Sequence, residues 1–130
     1  MSSLQILITA GPTQEPLDDV RFLSNASSGA MGYALANIFQ KNKFRVTLIS
    51  GPTSLQHPHK VKFVAVKTAL EMFAAVKKNI GRADVFISTA AVSDFRFKKV
   101  IKGKIKKDQL ILLEAFGAGL TWGTALIRMI

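Results

Sequence analysis

The sequence predicts an α/β protein with a three-layer, Rossmann-like fold built on a mainly parallel sheet. Short, almost wholly apolar segments of strand length alternate with longer segments in which apolar residues recur every three or four positions. Glycine and proline fall between the two kinds of segment. The 130 residues, 48% of them hydrophobic, suffice for one domain with its own core.

The first strand and the first helix are predicted near the N-terminus. Residues 4–10 form an apolar run of the type that is buried on both faces of a parallel sheet. A polar loop follows, and residues 30–43 have helical spacing. The predicted buried face of this helix consists of Met31, Ala34, Leu35, Ile38 and Phe39.

Three more strands and a second helix complete the alternation. Strands are predicted at residues 45–50, 61–66 and 84–91. Thr68 and Glu71 have the spacing of a capping box, which begins a helix. The apolar residues of that helix are Leu70, Phe73, Ala74 and Val76. Ligands of parallel sheets bind beyond the carboxyl ends of the strands, so the loop at Gly11, residues 50–51 and residues 90–94 should share one rim.

The loop before the first helix is a candidate phosphate site. Asn25, Ser27, Ser28 and Gly29 lead directly into the helix. Hydroxyl groups, backbone N–H groups and the positive end of the helix dipole gather there, which suits an anion. An ordinary loop with a serine cap is the alternative that these residues leave open.

The composition argues against several classes of protein. No apolar run is long enough to span a membrane, and we expect no secretory signal. The absence of cysteine rules out disulfides and thiolate metal sites and favours the cytoplasm. His57 and His59 flank a proline without obvious ligand partners, so we expect no metal site built from side chains.

The net charge of +10 lies mainly in the second half of the chain. Residues 66–130 hold twelve Lys/Arg against five acids, and most of the excess is at residues 96–107. A solvated loop, a nucleic-acid patch and a cationic flap over a polyphosphate are all compatible with such a segment. It lacks recognition-helix periodicity and an array of stacking aromatics, so a nucleic-acid partner is the least favoured of the three.

A dinucleotide-dependent oxidoreductase is not supported. A long loop separates the first strand from the glycine turn, whereas dinucleotide-binding turns follow their strand directly. The second strand ends in Ser50 rather than in the acid that would hold a ribose. Tyr33, the only tyrosine, has Asn37 instead of lysine four residues later.

Seven blocks of sequence keep the order of a known family. They lie at residues 6–18, 20–29, 31–32, 46–52, 68–72, 90–95 and 104–107. They resemble bacterial phosphopantothenate–cysteine ligase, also called phosphopantothenoylcysteine synthetase. The resemblance implies a ligation in coenzyme A biosynthesis, with Mg²⁺ offsetting the charge of CTP. The carboxylate of 4′-phosphopantothenate would attack the α-phosphate of CTP, and cysteine would then displace CMP from the acyl-cytidylate.

The resemblance also implies roles for individual residues. Asn25 corresponds to the asparagine associated with turnover of the acyl-cytidylate, and Lys104 to a flap lysine that reaches the CTP phosphates. The basic segment is then expected to stay mobile until polyphosphate neutralises it. The residues expected at the nucleotide are Gly11, Ser27, Ser28, Gly29, Ser88, Thr89, Ala90, Asp94 and Lys104. Without the resemblance, Asn25 would be a loop cap and Asp94 a turn residue.

The match to the family stops after residue 114. We therefore divide the chain into a partial nucleotide-binding ligase-type domain at residues 1–114, truncated relative to the family, and an atypical tail at residues 115–130. The tail resembles the C-terminal end of 3-oxoacyl-acyl-carrier-protein synthase III, but it has none of that enzyme's catalytic residues. A hairpin that covers an edge of the shortened sheet is the alternative.

An incomplete ligase domain is expected to be inactive or nearly so on its own. It should form a homodimer or pair with a chain that carries the missing half. CTP, 4′-phosphopantothenate and cysteine are the expected ligands. Two alternatives stay open, namely a non-catalytic nucleotide- or phosphate-binding module and an assembly subunit whose exposed edge pairs with another chain.

Overall fold

The computed structural model describes residues 3–116 and 122–130, and it confirms the predicted α/β class. A short 3₁₀ turn at Ile80–Arg82 follows the second helix. In chain order the strands and helices are β1 (Gln5–Ala10), β2 (Gln14–Pro16), β3 (Phe22–Ser24), α1 (Ala30–Lys41), β4 (Arg45–Ser50), β5 (Lys62–Ala65), α2 (Ala69–Asn79), β6 (Val85–Ser88), β7 (Phe95–Phe97), β8 (Leu110–Phe116) and β9 (Trp122–Arg128).

The central sheet has four parallel strands in the order β5-β4-β1-β6. Ile8 in β1 lies opposite Leu48 of β4 on one side and Ile87 of β6 on the other. Ile8 and Leu48 are completely buried. The near-continuous apolar sequence of these two strands follows from this burial on both faces.

The two helices cover opposite faces of the sheet. Tyr33 and Ala36 of α1 pack in the cluster that contains Ile8, whereas Met72 of α2 packs against Leu7 and Ile49. The result is the predicted arrangement of three layers. Neither helix in the described part of the chain combines the length and the apolar character that a bilayer crossing requires.

Several of the apolar residues named above for the two helices are not buried. Met31 and Ile38 of α1 are exposed, as are Leu70 and Phe73 of α2. In α1 the closest approach to the sheet is at Gly32, because a Cβ on this residue would lie 2.4 Å from the Cβ of Ala10. Apolar residues occur on more than one side of each helix, so their spacing alone does not select the side that packs. The capping box of α2 is present as predicted.

The fourth parallel strand is shorter than predicted. Strand β6 ends at Ser88, and residues 89–91 leave the sheet except for one bridge between Pro12 and Ala91. Its outer side faces no other strand among the described residues, and Phe86 is 43% exposed. This strand therefore forms an open edge of the sheet.

A second, antiparallel sheet has the order β7-β8-β9. Strand β9 runs back along β8, from Phe116 opposite Trp122 to Leu110 opposite Arg128. Part of the tail, β9, thus covers one side of β8 in this second sheet rather than an edge of the parallel sheet. Residues 117–121 lie outside the described part of the chain, and the division into domains at residue 114 stays a prediction.

Candidate functional site

Three loops meet at the carboxyl end of the central sheet in what we call the glycine junction, formed by Gly11, Gly29, Gly51 and Thr53. Gly11 and Gly29 have φ values of 74° and 77°, a region that favours glycine. A Cβ on Gly29 would lie 3.2 Å from the Cα of Gly11, and a Cβ on Gly51 would lie 1.7 Å from the carbonyl oxygen of Pro12. The junction has no room for side chains at these positions.

Helix α1 begins at this junction. Gly29 is its N-cap residue and provides no side-chain cap, and the first turn contains no acid. Backbone N–H groups at the start of a helix attract anions. The hydroxyl oxygen of Ser27 accepts a hydrogen bond from the N–H of Gly29, and that of Ser28 from the N–H of Ala30, both at 3.3 Å. Both serine hydroxyls thus bond to backbone N–H groups of their own loop. This arrangement is compatible with a phosphate site and with an ordinary serine cap.

Asn25 connects the β3–α1 loop to the segment after β6. Its side-chain Nδ2 donates to the carbonyl oxygens of Val92 at 3.2 Å and Ala91 at 3.4 Å. This contact agrees with the loop-capping alternative for Asn25. The proposed part of Asn25 in catalysis stays a prediction.

The turn after β6 is attached to the end of β1. The hydroxyl and the backbone N–H of Thr89 both donate to the carbonyl oxygen of Thr9, at 2.6 and 3.1 Å. The hydroxyl of Thr9 lies 3.5 Å from that of Ser88. Thr89 therefore points its hydroxyl hydrogen into the protein, and Ala90 packs beside the core cluster of Leu7, Ile49 and Met72.

Thr13 organises the same region and was missed by the sequence analysis. It is fully buried, and its hydroxyl oxygen accepts a hydrogen bond from the N–H of Ser93 at 2.9 Å. Its carbonyl oxygen accepts one from the hydroxyl of Ser24 at 2.7 Å. A threonine directly after Gly11 and Pro12, at the end of a buried strand, was the only signal available for this role.

Asp94 lies away from the glycine junction. It lines a groove of about 310 Å³ between α2 and residues 92–96. The groove is lined by Glu15, Ala69, Leu70, Phe73, Val92, Ser93, Asp94, Phe95 and Arg96. Glu15 is buried and accepts a hydrogen bond from the N–H of Ala69 at the start of α2, at 2.8 Å. The hydroxyl oxygen of Ser93 is buried with no hydrogen-bond partner in the described residues.

A larger cavity, of about 630 Å³, opens beyond β4 and β5. Ser50, Gly51 and Thr53 line it, so it adjoins the glycine junction. The ring of His57 stacks on that of Phe63, with centroids 4.3 Å apart and an interplanar angle of 14°. The loop that contains His57 and His59 therefore forms one wall of this cavity.

Hydrogen bonds to two acidic side chains hold the residues on either side of Lys104. The N–H of Gly103 donates to Asp19 at 2.7 Å, and the N–H of Ile105 donates to Asp18 at 2.8 Å. Ile105 is buried, whereas the side chain of Lys104 is exposed. Two acids thus hold the backbone beside Lys104 in this structure, and the expectation of a flap that stays mobile until polyphosphate binds stays a prediction.

Asp18 is the strongest electrostatic feature of this anchor. Its buried carboxylate accepts hydrogen bonds from three backbone N–H groups and from the guanidinium of Arg21. The hydrogen bond from Ile105, above all, lowers its pKa to about 2. The two adjacent acids, Asp18 and Asp19, in a strongly basic chain were the sequence signal for this contact.

The structure brings only part of the predicted site together. Gly11 and Gly29 are in direct contact, and Asn25 joins their loop to the turn after β6. Lys104 is attached instead to the turn between β2 and β3. That turn lies at the far end of the β2–β3 hairpin from Asn25, about 10 Å away along three paired residues.

Residues 1–115 match the family model described as the DNA/pantothenate metabolism flavoprotein C-terminal domain. The chain belongs to this family. The bifunctional coenzyme A biosynthesis protein CoaBC of Escherichia coli K12 is 52% identical over 107 residues, and that of Borreliella burgdorferi is 39% identical over 110. These matches cover 82% and 85% of the chain but 26% and 28% of the relatives.

Solved structures share the fold of this chain. The CoaBC C-terminal domain is 48% identical with a TM-score of 0.73, and the match covers 77% of this chain and 51% of that one. The pantothenate metabolism flavoprotein of Streptococcus pneumoniae is 19% identical, with a TM-score of 0.69 over 99% of this chain and 59% of that one. A Cab2 mutant in complex with phosphopantothenate-cysteine is 20% identical, with a TM-score of 0.66 over 82% of this chain and 52% of that one.

The resemblance to phosphopantothenate–cysteine ligase is thus confirmed, since the relatives carry the ligase domain of CoaBC. The chain spans 26% of the length of the E. coli relative and 51% of the solved CoaBC domain. The family model ends at residue 115, so the resemblance of the tail to 3-oxoacyl-acyl-carrier-protein synthase III stays a prediction.

Proposed function

We propose that this chain is the nucleotide-binding portion of a CTP-dependent phosphopantothenate–cysteine ligase in coenzyme A biosynthesis. The observation that supports this most directly is the contact of Gly11 with Gly29 at the start of α1, in a chain that belongs to this family. The backbone N–H groups at the start of a helix are a suitable seat for phosphate. The predicted cytoplasmic location belongs to the same proposal.

The proposed reaction has two steps. A carboxylate oxygen of 4′-phosphopantothenate forms a bond to the α-phosphorus of CTP, and pyrophosphate leaves. The amine of cysteine then forms a bond to the acyl carbon, and CMP leaves with the electron pair of the broken C–O bond. In this scheme the start of α1 stabilises negative charge on phosphate. Asn25 orients the acyl phosphate, and Lys104 attracts the outer phosphates of CTP.

Magnesium is part of the proposal as a companion of the triphosphate. Within residues 3–116 and 122–130, no three His, Cys, Asp or Glu side chains form a group that could hold a metal ion. We therefore assign no step of the reaction to side chains that bind the metal.

The open edge at β6 suggests how the site would be completed. The chain corresponds to 51% of the solved CoaBC domain, and β6 has no neighbour on its outer side in the described residues. Open edges pair readily with other strands. We therefore propose that the chain forms a homodimer or associates with a chain that carries the remaining half of the domain.

A ligation assay tests the proposal. The purified chain is supplied with CTP, Mg²⁺, 4′-phosphopantothenate and cysteine, alone and with the separately produced C-terminal half of the E. coli CoaBC ligase domain. We expect negligible CMP release from the chain alone and turnover when both halves are present. ATP in place of CTP is the control for nucleotide choice, and equal turnover with ATP would contradict the assignment of CTP.

A non-catalytic nucleotide- or phosphate-binding module is the second candidate. The hydrogen bonds of Asn25 to the carbonyl oxygens of Val92 and Ala91, which agree with a loop cap, favour it. Binding of CTP measured by calorimetry, together with no turnover in the presence of the added half, would support it over the ligase. An assembly subunit without ligand would show neither binding nor turnover.

A further inference from the structure

Two consecutive acids, Asp18 and Asp19, hold the two residues that flank Lys104. Asp19 bonds with Gly103 twice: its carboxylate accepts from the N–H of Gly103 at 2.7 Å, and its own N–H donates to the carbonyl oxygen of Gly103 at 3.1 Å. Asp18 accepts from the N–H of Ile105 at 2.8 Å. The backbone on both sides of Lys104 is thereby fixed, although its side chain remains exposed.

The same anchor includes a cation from the β2–β3 turn. Oδ2 of Asp18 accepts both the N–H of Ile105 and the guanidinium Nη1 of Arg21, the latter at 2.9 Å. Its other oxygen, Oδ1, accepts the N–H groups of Val20 and Arg21 at 2.9 and 2.7 Å. One buried carboxylate thus organises the turn and, through Ile105, the basic segment.

Apolar packing also holds the segment that contains Lys104. Ile105 lies in a buried cluster with Leu17 and Ile111, and the N–H of Ile101 donates to the carbonyl oxygen of Leu17 at 3.0 Å. A strongly basic segment in a chain of net charge +10 would otherwise be pushed away from the protein by its own repulsion. The two acids offset this repulsion at the position of Lys104.

We propose that Asp18 and Asp19 are positioning residues for Lys104, because they fix the backbone on both sides of this lysine before a polyphosphate binds. The inference rests on the proposed function, in which Lys104 contacts the outer phosphates of CTP. Preorganisation of this kind saves the entropy of ordering the segment on binding. Loss of the anchor should therefore weaken CTP and leave CMP unchanged, because CMP has no outer phosphates.

Asp19 offers the cleaner test, because it is exposed and its replacement leaves the buried carboxylate of Asp18 in place. Asp19→Ala removes the charge and the acceptor, whereas Asp19→Asn removes only the charge and retains a carbonyl acceptor. Asp108→Asn, in the same segment, controls for the loss of one negative charge. Calorimetric titrations with CTP and CMP are combined with amide hydrogen exchange at Gly103 and Ile105.

We expect Asp19→Ala to weaken CTP about tenfold and to speed exchange at Gly103, with CMP affinity unchanged. Asp19→Asn should restore most of the CTP affinity, and Asp108→Asn should behave like the unmodified chain. In a Lys104→Ala background, Asp19→Ala should have no further effect on CTP. Asp18→Asn should act in the same direction, with circular dichroism to verify that the variant folds.

Two outcomes would overturn the inference while leaving the proposed function intact. In the first, Asp19→Ala weakens CTP equally in the unmodified chain and in the Lys104→Ala background. In the second, Asp19→Ala weakens CTP and CMP equally. Failure of Lys104→Ala by itself to weaken CTP would instead contradict the proposed contact of Lys104 with phosphate, and with it the purpose of the anchor. The Lys104→Ala variant therefore distinguishes a failure of this inference from a failure of the proposed function.

Discussion

Gly29 and Gly11 touch through their backbones: a Cβ on Gly29 would lie 3.2 Å from both the Cα and the N of Gly11. The methyl group of Thr53 closes the remaining space, at 3.0 Å from the same Cβ position. Helix α1 can begin next to β1 only because both residues lack side chains. This contact fixes the start of the helix relative to the sheet.

The first prediction concerns this contact. Gly29→Ala should reduce the free energy of unfolding by about 2–4 kcal/mol, because it combines a left-handed backbone with a crowded Cβ. Gly103→Ala is the matched control, since Gly103 has the same φ of 77° but open space around a Cβ. It should cost only about 1 kcal/mol. Urea unfolding of both variants provides the measurement, and equal losses would show that crowding at Gly29 is unimportant.

The second prediction concerns Asn25 in a complete ligase that carries these motifs. Asn25→Asp should leave CTP affinity largely unchanged and slow amide formation by about a hundredfold, as for the loss of one transition-state hydrogen bond. The acyl-cytidylate should then accumulate in a rapid-quench experiment with labelled CTP. Normal turnover of the variant would leave Asn25 with only the contacts to Ala91 and Val92 that are seen here.

The third prediction concerns Lys104. Lys104→Ala should weaken CTP about tenfold and CMP hardly at all, because the lost attraction acts on the outer phosphates. Added salt should reduce the difference, since exposed charges are screened. Lys107→Ala, an exposed lysine of the same segment, is the control and should have a smaller effect. Equal losses for CMP and CTP in calorimetry would assign Lys104 to the ordinary solvated surface.

The fourth prediction concerns acid stability. Because the pKa of Asp18 is lowered from 3.8 to about 2, the unfolded chain binds more protons than the folded chain between these values. The stabilisation is complete above about pH 4 and disappears as the pH falls toward 2. The stability difference between the unmodified chain and Asp18→Asn should therefore be constant near neutrality and shrink in acid. A constant difference down to pH 2.5 in chemical denaturation would contradict this.

The strands and caps were predictable because their causes are local. The observed bounds of β4, Arg45–Ser50, equal the predicted ones, since an apolar run is followed at once by Gly51 and Pro52. Helix α2 begins where Thr68 and Glu71 form the predicted capping box. The family blocks likewise extend along contiguous sequence, so the relationship could be recognised before any contact was known.

The contacts of the candidate site were not predictable in the same way, because they join distant positions. Asn25 meets Val92 across 67 residues, and Asp18 meets Ile105 across 87. Sequence spacing predicts which residues share a helix face or a strand end, but it does not identify partners at such separations. The charge of the segment around Lys104 likewise does not reveal Asp18 and Asp19 as its partners, because they lie more than 80 residues away in the sequence.

The fifth prediction concerns the open edge at β6. Phe86 is 43% exposed on this strand, whose outer side is unpaired in the described residues. Apolar, unpaired edges promote association, and lysine on an edge strand opposes it. We therefore expect the chain to sediment as a dimer or larger assembly and Phe86→Lys to shift it toward the monomer. Leu126→Lys, an equally drastic change on the edge strand β9, is the control and should leave the assembly intact. If Leu126→Lys dissociated the assembly and Phe86→Lys did not, the second sheet rather than the open edge at β6 would be the interface.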